Sequence, residues 1–194
     1  MSKPAYTYSL TTAAEAIADG SLTAEALVAS CLERIAEREP SVRAFVCYEP
    51  ERALATAREL DASTLRGPLR GIPVGIKDII DTADMPTECN SPIYKGRRPE
   101  RDATCVARLR RAGAIILGKT VTTEFASSFA GPTRHPRDPQ RTPGGSSSGS
   151  AAAVGDLMLP LAIGTQTGGS VIRPSAYNGC LLYTSPSPRD RTRS

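Results

Sequence analysis

Histidine occurs only once in this chain of 194 residues, and no apolar run approaches the roughly 20 residues that a membrane-crossing helix needs. The opening residues, MSKPAYTYSL, lack the apolar segment of a secretory signal, so the expected location is cytoplasmic, with no membrane partner. The five cysteines, Cys31, Cys47, Cys89, Cys105 and Cys180, are odd in number and never spaced as CxxC. A zinc site and a disulfide framework are thereby excluded, and reduced, mostly buried thiols are expected. No basic stripe interleaved with aromatics is present, so no nucleic-acid partner is expected. The net charge is +4, of which Arg189, Arg191 and Arg193 against Asp190 supply +2. A serine–histidine pair would have to use His135, which is flanked by Arg134, Pro136 and Arg137 in what reads as a solvated loop.

What is present is an ordinary globular composition, 40% hydrophobic and 23% charged, with helix and strand patterns in alternation. Thr12 and Glu15 have capping-box spacing and predict a short helix ending at Gly20. Apolar residues at helical spacing predict a second helix over residues 23–39, closed by Pro40. Pro50 suits the first turn of a third, reaching about Leu60. Residues 72–76 read as a buried strand, 83–101 as an irregular surface segment, and 103–112 as a basic amphipathic helix stopped by Gly113. A short strand over 114–117, a turn with a short helix over 120–128 and a loop over 131–141 follow. The fold class is α/β.

One pattern invites a false reading. Residues 113–120, GAIILGKT, satisfy the phosphate-binding pattern GxxxxGK[ST]. That motif requires a loop between its glycines, whereas Ala-Ile-Ile-Leu is a strand sequence, so nucleotide binding is not expected.

The most informative stretch is residues 142–170, TPGGSSSGSAAAVGDLMLPLAIGTQTGGS. Two glycine- and serine-rich clusters bracket a segment too apolar to be a flexible linker, so they read as ordered turns between buried elements. Successive N–H groups in the second turn, ending at Ser170, could converge on one point, which is the geometry of an oxyanion hole beside a nucleophile.

These blocks, together with Gly71-Ile72-Pro73-Val74-Gly75-Ile76-Lys77-Asp78 upstream, resemble the amidase signature family over roughly residues 9–179. The lysine lies 69 residues before Ser146 (146 − 77), and Ser146 lies 24 before Ser170 (170 − 146), both in keeping with the family. The resemblance implies a mixed, twisted central sheet flanked by helices, here truncated. It makes residues 1–179 the N-terminal part of a single amidase domain. Residues 180–194, with neither periodicity nor a core face, read as a non-native tail.

The resemblance also implies a mechanism. Lys77, Ser146 and Ser170 would form a Ser-Ser-Lys triad, with Ser170 the nucleophile and Ser146 relaying its proton to Lys77. The Gly145–Ser146 peptide would be cis. Thr167, Gly168, Gly169 and Ser170 would supply the oxyanion hole through their N–H groups. A lysine at the end of an apolar strand suits the role, because burial favours the neutral amine. No cofactor or metal is implied. Ser147, Ser148 and Ser150 would support turns and cap the following helix. Arg173 stands three residues past Ser170, where many relatives have arginine two past, and Gln166 stands where many carry aspartate. Arg173 has two readings, a grip on a substrate carboxylate and a structural ion pair. The departures favour an amidase acting on small linear amides. The alternatives are the A subunit of a tRNA-dependent amidotransferase, working with partner subunits, and an inactive fragment. A homodimer is compatible with either full-length form.

Truncation would leave strand faces and an edge uncovered, an aggregation hazard. Residues 1–194 expressed alone are therefore expected to be poorly soluble and inactive. Circular dichroism, gel filtration and an amide-hydrolysis assay check this; a monomeric, cooperatively melting, active product would contradict it.

Overall fold

Ser9 opens the first helix, α1 (Leu10–Asp19): its hydroxyl accepts from the Thr12 N–H at 3.1 Å, and Gly20 closes the helix in the left-handed region at φ 82°. The cap thus lies three residues before the expected Thr12, whose own hydroxyl is within 2.8 Å of Ser9 Oγ. The computed structural model describes residues 3–184. Thr23 caps α2 (Ala24–Val42), which runs through Pro40 and not up to it. Proline removes one N–H but accepts a helical φ, and the last turn has other holds. Val42 is buried, its carbonyl accepts from Arg134 N–H, and Arg43 N–H returns to the Glu39 carbonyl. The Glu39 carboxylate then receives the N–H groups of Ala44 and Phe45, both at 2.9 Å, and turns the chain into β1 (Phe45–Tyr48). This four-residue strand was not legible between two strong helical patterns.

The helix α3 (Pro50–Ala62) begins with its proline as expected. β2 (Pro73–Lys77) is buried along its whole length, as is β3 (Ile115–Thr120). Between them lie an irregular segment and the basic helix α4 (Thr104–Arg111). The irregular segment is not all surface: Met85 is buried in the core, and Thr87, Cys89 and Ser91 are buried too. β3 extends three residues beyond the expected 114–117, which puts the whole Gly118-Lys119-Thr120 end of the phosphate-loop pattern into the sheet. α5 (Ser148–Gly155), β4 (Leu161–Ile163) and α6 (Ile172–Asn178) complete the described chain. Cys180 donates its thiol hydrogen to the Ala151 carbonyl, while Leu181 and Tyr183 are exposed. The rest of the tail, residues 185–194, lies outside the described residues.

The sheet order is β1-β3-β2-β4, with β1 antiparallel to β3 and β2 parallel to both β3 and β4. Alternate residues of β3 feed two cores. Ile115 and Leu117 pack with α2, α3, Ala152 and Met158; Ile116 packs with Val74, Ile76, Ala13, Ile17, Met85 and Val106. The sheet is mixed and flanked by helices, as the resemblance implied. Its three parallel strands end together, so the residues just past Lys77, Thr120 and Ile163 gather at one edge. In open α/β sheets that edge is where sites form.

α5 approaches this edge by way of a glycine. A Cβ on Gly149 would lie 2.2 Å from the Ala44 carbonyl oxygen and 2.4 Å from the Val121 nitrogen. Both are backbone atoms that cannot swing aside. Gly149→Ala is therefore expected to cost about 3 kcal/mol or more, the upper end for overpacking. Urea denaturation of the full-length variant measures it, and a loss under about 1 kcal/mol would show that α5 can shift.

Candidate active site

Lys77 is the last residue of β2 and is 0% exposed. Its Nζ lies 2.6 Å from Ser146 Oγ, 2.8 Å from Thr165 Oγ1 and 3.3 Å from the Thr165 carbonyl oxygen. No carboxylate is paired with it among the described residues. Burial draws its pKa down from 10.5 to about 8. The three oxygens fit either form: an ammonium donates to all three, and a neutral amine donates to the two Thr165 oxygens and offers its lone pair to the Ser146 hydroxyl.

Ser146 reaches the lysine from a turn that contains the expected cis Gly145–Ser146 peptide. Its carbonyl accepts from Thr123 N–H at 3.1 Å, and the residue is buried. The three serines that follow do not cap α5. Ser147 makes no side-chain cap bond; its hydroxyl donates to the Thr165 carbonyl at 3.2 Å and accepts from Thr165 N–H at 3.3 Å. Ser148 donates to the Val121 carbonyl, and Ser150 sits between Thr120 Oγ1 and the Ile163 carbonyl. These hydroxyls tie α5 to the strand ends, a tertiary task that outcompetes local capping.

Ser170 is half-buried in the turn after β4, and its carbonyl accepts from Ser147 N–H at 3.0 Å. The N–H groups of Thr167, Gly168, Gly169 and Ser170 donate to no group among the described residues, so all four remain available. No hydrogen bond joins the Ser170 and Ser146 hydroxyls. Arg173 extends from the first turn of α6; its N–H donates to the Gly169 carbonyl at 3.0 Å. Its guanidinium is exposed and has no acid partner among the described residues, so the ion-pair reading of Arg173 has no partner to support it.

The structure thus brings Lys77 and Ser146 into contact and links Ser170 to them through the backbone of Ser147. Thr165, which takes two of the three contacts to Lys77, was not singled out from the sequence; its position five residues before Ser170 was the available signal. Lys119 behaves as the strand reading of GAIILGKT required. It is 0% exposed and bonded to Asp78 at 3.1 Å, the Pro86 carbonyl at 3.0 Å and Thr87 Oγ1 at 2.5 Å, with no phosphate cradle around it. Burial pushes the Asp78 carboxyl up against the opposing pull of that ammonium. His135 accepts from Arg137 N–H at 3.2 Å and lies 3.0 Å from the Tyr177 carbonyl, bonded to no serine. No group of three or more His, Cys, Asp or Glu side chains is placed to hold a metal among the described residues. No helix among the described residues is long and apolar enough to cross a membrane. All five cysteines are unpaired; Cys31 and Cys89 are buried, Cys47 and Cys180 half-buried and Cys105 exposed.

The family model described as Amidase matches residues 26–181, most of the chain. The chain belongs to the amidase family. It is 46% identical over 181 residues to the A subunit of glutamyl-tRNA(Gln) amidotransferase from Acidothermus cellulolyticus, covering 88% of this chain and 36% of that protein. It is 48% identical over 171 residues to the corresponding protein of Symbiobacterium thermophilum, covering 82% and 35%. Among solved structures, the peptide amidase from Stenotrophomonas maltophilia superposes with a TM-score of 0.84 at 39% identity, covering 90% of this chain and 39% of that one. This member of the amidase family therefore spans about a third of the length of the curated relatives it matches.

The lysine amine is directly measurable. In an NMR titration of the full-length protein, one lysine side chain is expected to titrate at about pH 8 and to vanish in Lys77→Met. A Lys77 resonance that titrates at the ordinary value of 10.5 would remove the basis for a neutral amine.

Proposed function

We propose that this chain carries the catalytic centre of an amidase that cleaves the carbon–nitrogen bond of a small linear amide through a Ser-Ser-Lys triad and an acyl-enzyme. The observation that carries the reading is the 2.6 Å contact between Lys77 Nζ and Ser146 Oγ inside a water-excluded pocket. Serine is a weak nucleophile without a base, and a lysine whose pKa lies near 8 is a competent base at neutral pH. About a tenth of such a lysine is neutral one pH unit below its pKa. Because the working form is the deprotonated one, the rate rises with pH up to and through about 8.

In this reading Ser170 Oγ forms a bond to the amide carbonyl carbon, and the carbonyl electron pair moves to oxygen. Ser146 takes the Ser170 proton while giving its own to Lys77; the Ser146–Ser170 hydrogen bond forms when substrate orders the turn. The free N–H groups of Thr167, Gly168, Gly169 and Ser170 are offered to the oxyanion. Collapse breaks the C–N bond, and the leaving amine receives the proton back along the same path. Water, deprotonated through the same relay, then hydrolyses the ester and restores Ser170. Arg173, without an acid partner among the described residues, would grip a substrate carboxylate. The chemistry calls for no metal or organic cofactor.

A second reading rests on the identity to amidotransferase A subunits. In it the same centre releases ammonia from glutamine and works beside an acceptor-binding subunit. Co-purification of such a subunit with the full-length protein separates the two.

A fluorophosphonate probe on the full-length protein is expected to attach to Ser170, and Ser170→Ala to lower hydrolysis by about 10³-fold or more. Peptide mapping that places the label on Ser147 or Ser148 would refute the assignment.

A further inference from the structure

The turn that carries Ser170 is closed by a side chain. Gln166 Oε1 accepts from the N–H groups of both Val171, at 3.1 Å, and Ile172, at 3.0 Å. It is the acceptor for the two N–H groups that lead into α6. The same turn has three other fixed points, one of them the Gly169 carbonyl, which accepts from Arg173 N–H at 3.0 Å. Its start, Thr165, is held by Ser147 Oγ and Lys77 Nζ. The Ser170 carbonyl is held by Ser147 N–H. Between these points, packing does little. Thr167 and Gly168 are exposed, and a Cβ on Gly168 would meet nothing within 4 Å. The Thr167–Gly169 conformation is therefore set by its end constraints.

We propose that Gln166 is a positioning residue for the nucleophile turn: its carbonyl oxygen holds residues 171 and 172 so that Ser170 Oγ and the preceding N–H groups keep their geometry for attack. This rests on the reading of Ser170 as nucleophile. Gln166 suits the task because its amide oxygen has two lone pairs for the two N–H groups. Without it, two N–H donors lose their partner, and the turn keeps only its holds at Thr165, at the Ser170 carbonyl and at the Gly169 carbonyl. Misplacement of a reacting group by about 1 Å can cost about 10²-fold in rate.

The test is the rate at which a fluorophosphonate labels Ser170 in the full-length protein, followed by mass spectrometry, with melting temperatures in parallel. Gln166→Leu removes the acceptor at similar size and is expected to slow labelling by at least about tenfold, with kcat falling alongside and KM little changed. Gln166→Glu keeps the acceptor oxygen and is expected to stay within about threefold of the parent. The expected melting temperatures of both lie close to the parent's, since the side chain is exposed. Labelling of Gln166→Leu at the parent rate overturns the proposal. So does a loss that only tracks a fall in melting temperature, or a Gln166→Glu variant as slow as Gln166→Leu. If the parent itself is not labelled at Ser170, the nucleophile assignment fails first and this inference with it; the two failures are thus told apart.

Discussion

Everything at the candidate site depends on keeping water and counter-charge away from one amine. β2 runs between β3 and β4 and is buried at every residue, and the Lys77 side chain at its end is itself 0% exposed. Desolvation penalises the ammonium, and the partners supplied are two hydroxyls and a carbonyl, with no carboxylate among the described residues to offset that penalty. Ile72, Val74 and Ile76 alternate to the other face of the strand and pack in the core there, so the Lys77 pKa is lowered by burial at the strand end and not by those three side chains.

Lys119 makes the same point by contrast. It too is fully buried, one strand away, where Ile76 of β2 pairs with it in the sheet register. Asp78 lies 3.1 Å from its nitrogen, and Thr87 and the Pro86 carbonyl take further hydrogens. A buried lysine with a paired carboxylate is a structural ion pair, held together because either partner alone would be a buried uncompensated charge. A buried lysine without one is a potential base. Two residues of one type, at similar depth, are assigned different tasks by a single neighbouring side chain.

The serines divide in a comparable way. Five lie between residues 146 and 170. Ser147, Ser148 and Ser150 commit their hydroxyls to the carbonyls and hydroxyls at the strand ends, which fixes α5 against the sheet edge. Ser146 faces Lys77, and the Ser170 hydroxyl has no partner among the described residues. Rigid clamps on either side leave one hydroxyl held and one open. A frame of this kind is compatible with relatives named both as amidotransferase components and as a peptide amidase.

Much of this was readable from residue order. Apolar, β-branched residues marked β2, helical spacing marked α2 and α4, and the spacing of Lys77, Ser146 and Ser170 carried the family resemblance. The Ala-Ile-Ile-Leu between Gly113 and Gly118 was enough to reject a phosphate loop, because that strand pattern is local. What the sequence alone could not determine depended on partners far away in the chain. Pro40 sits inside a helix because Val42 is buried against distant residues, and β1 exists because β3 pairs with it. Ser147 serves as a clamp and not as a cap because Thr165, 18 residues later, folds back onto it. The depressed pKa of Lys77, the contacts of Thr165 and Gln166, and the absence of an acid partner for Arg173 among the described residues are all properties of where strands end relative to one another. Desolvation and hydrogen-bond partnership are set by three-dimensional neighbours, so only the tertiary structure could decide them.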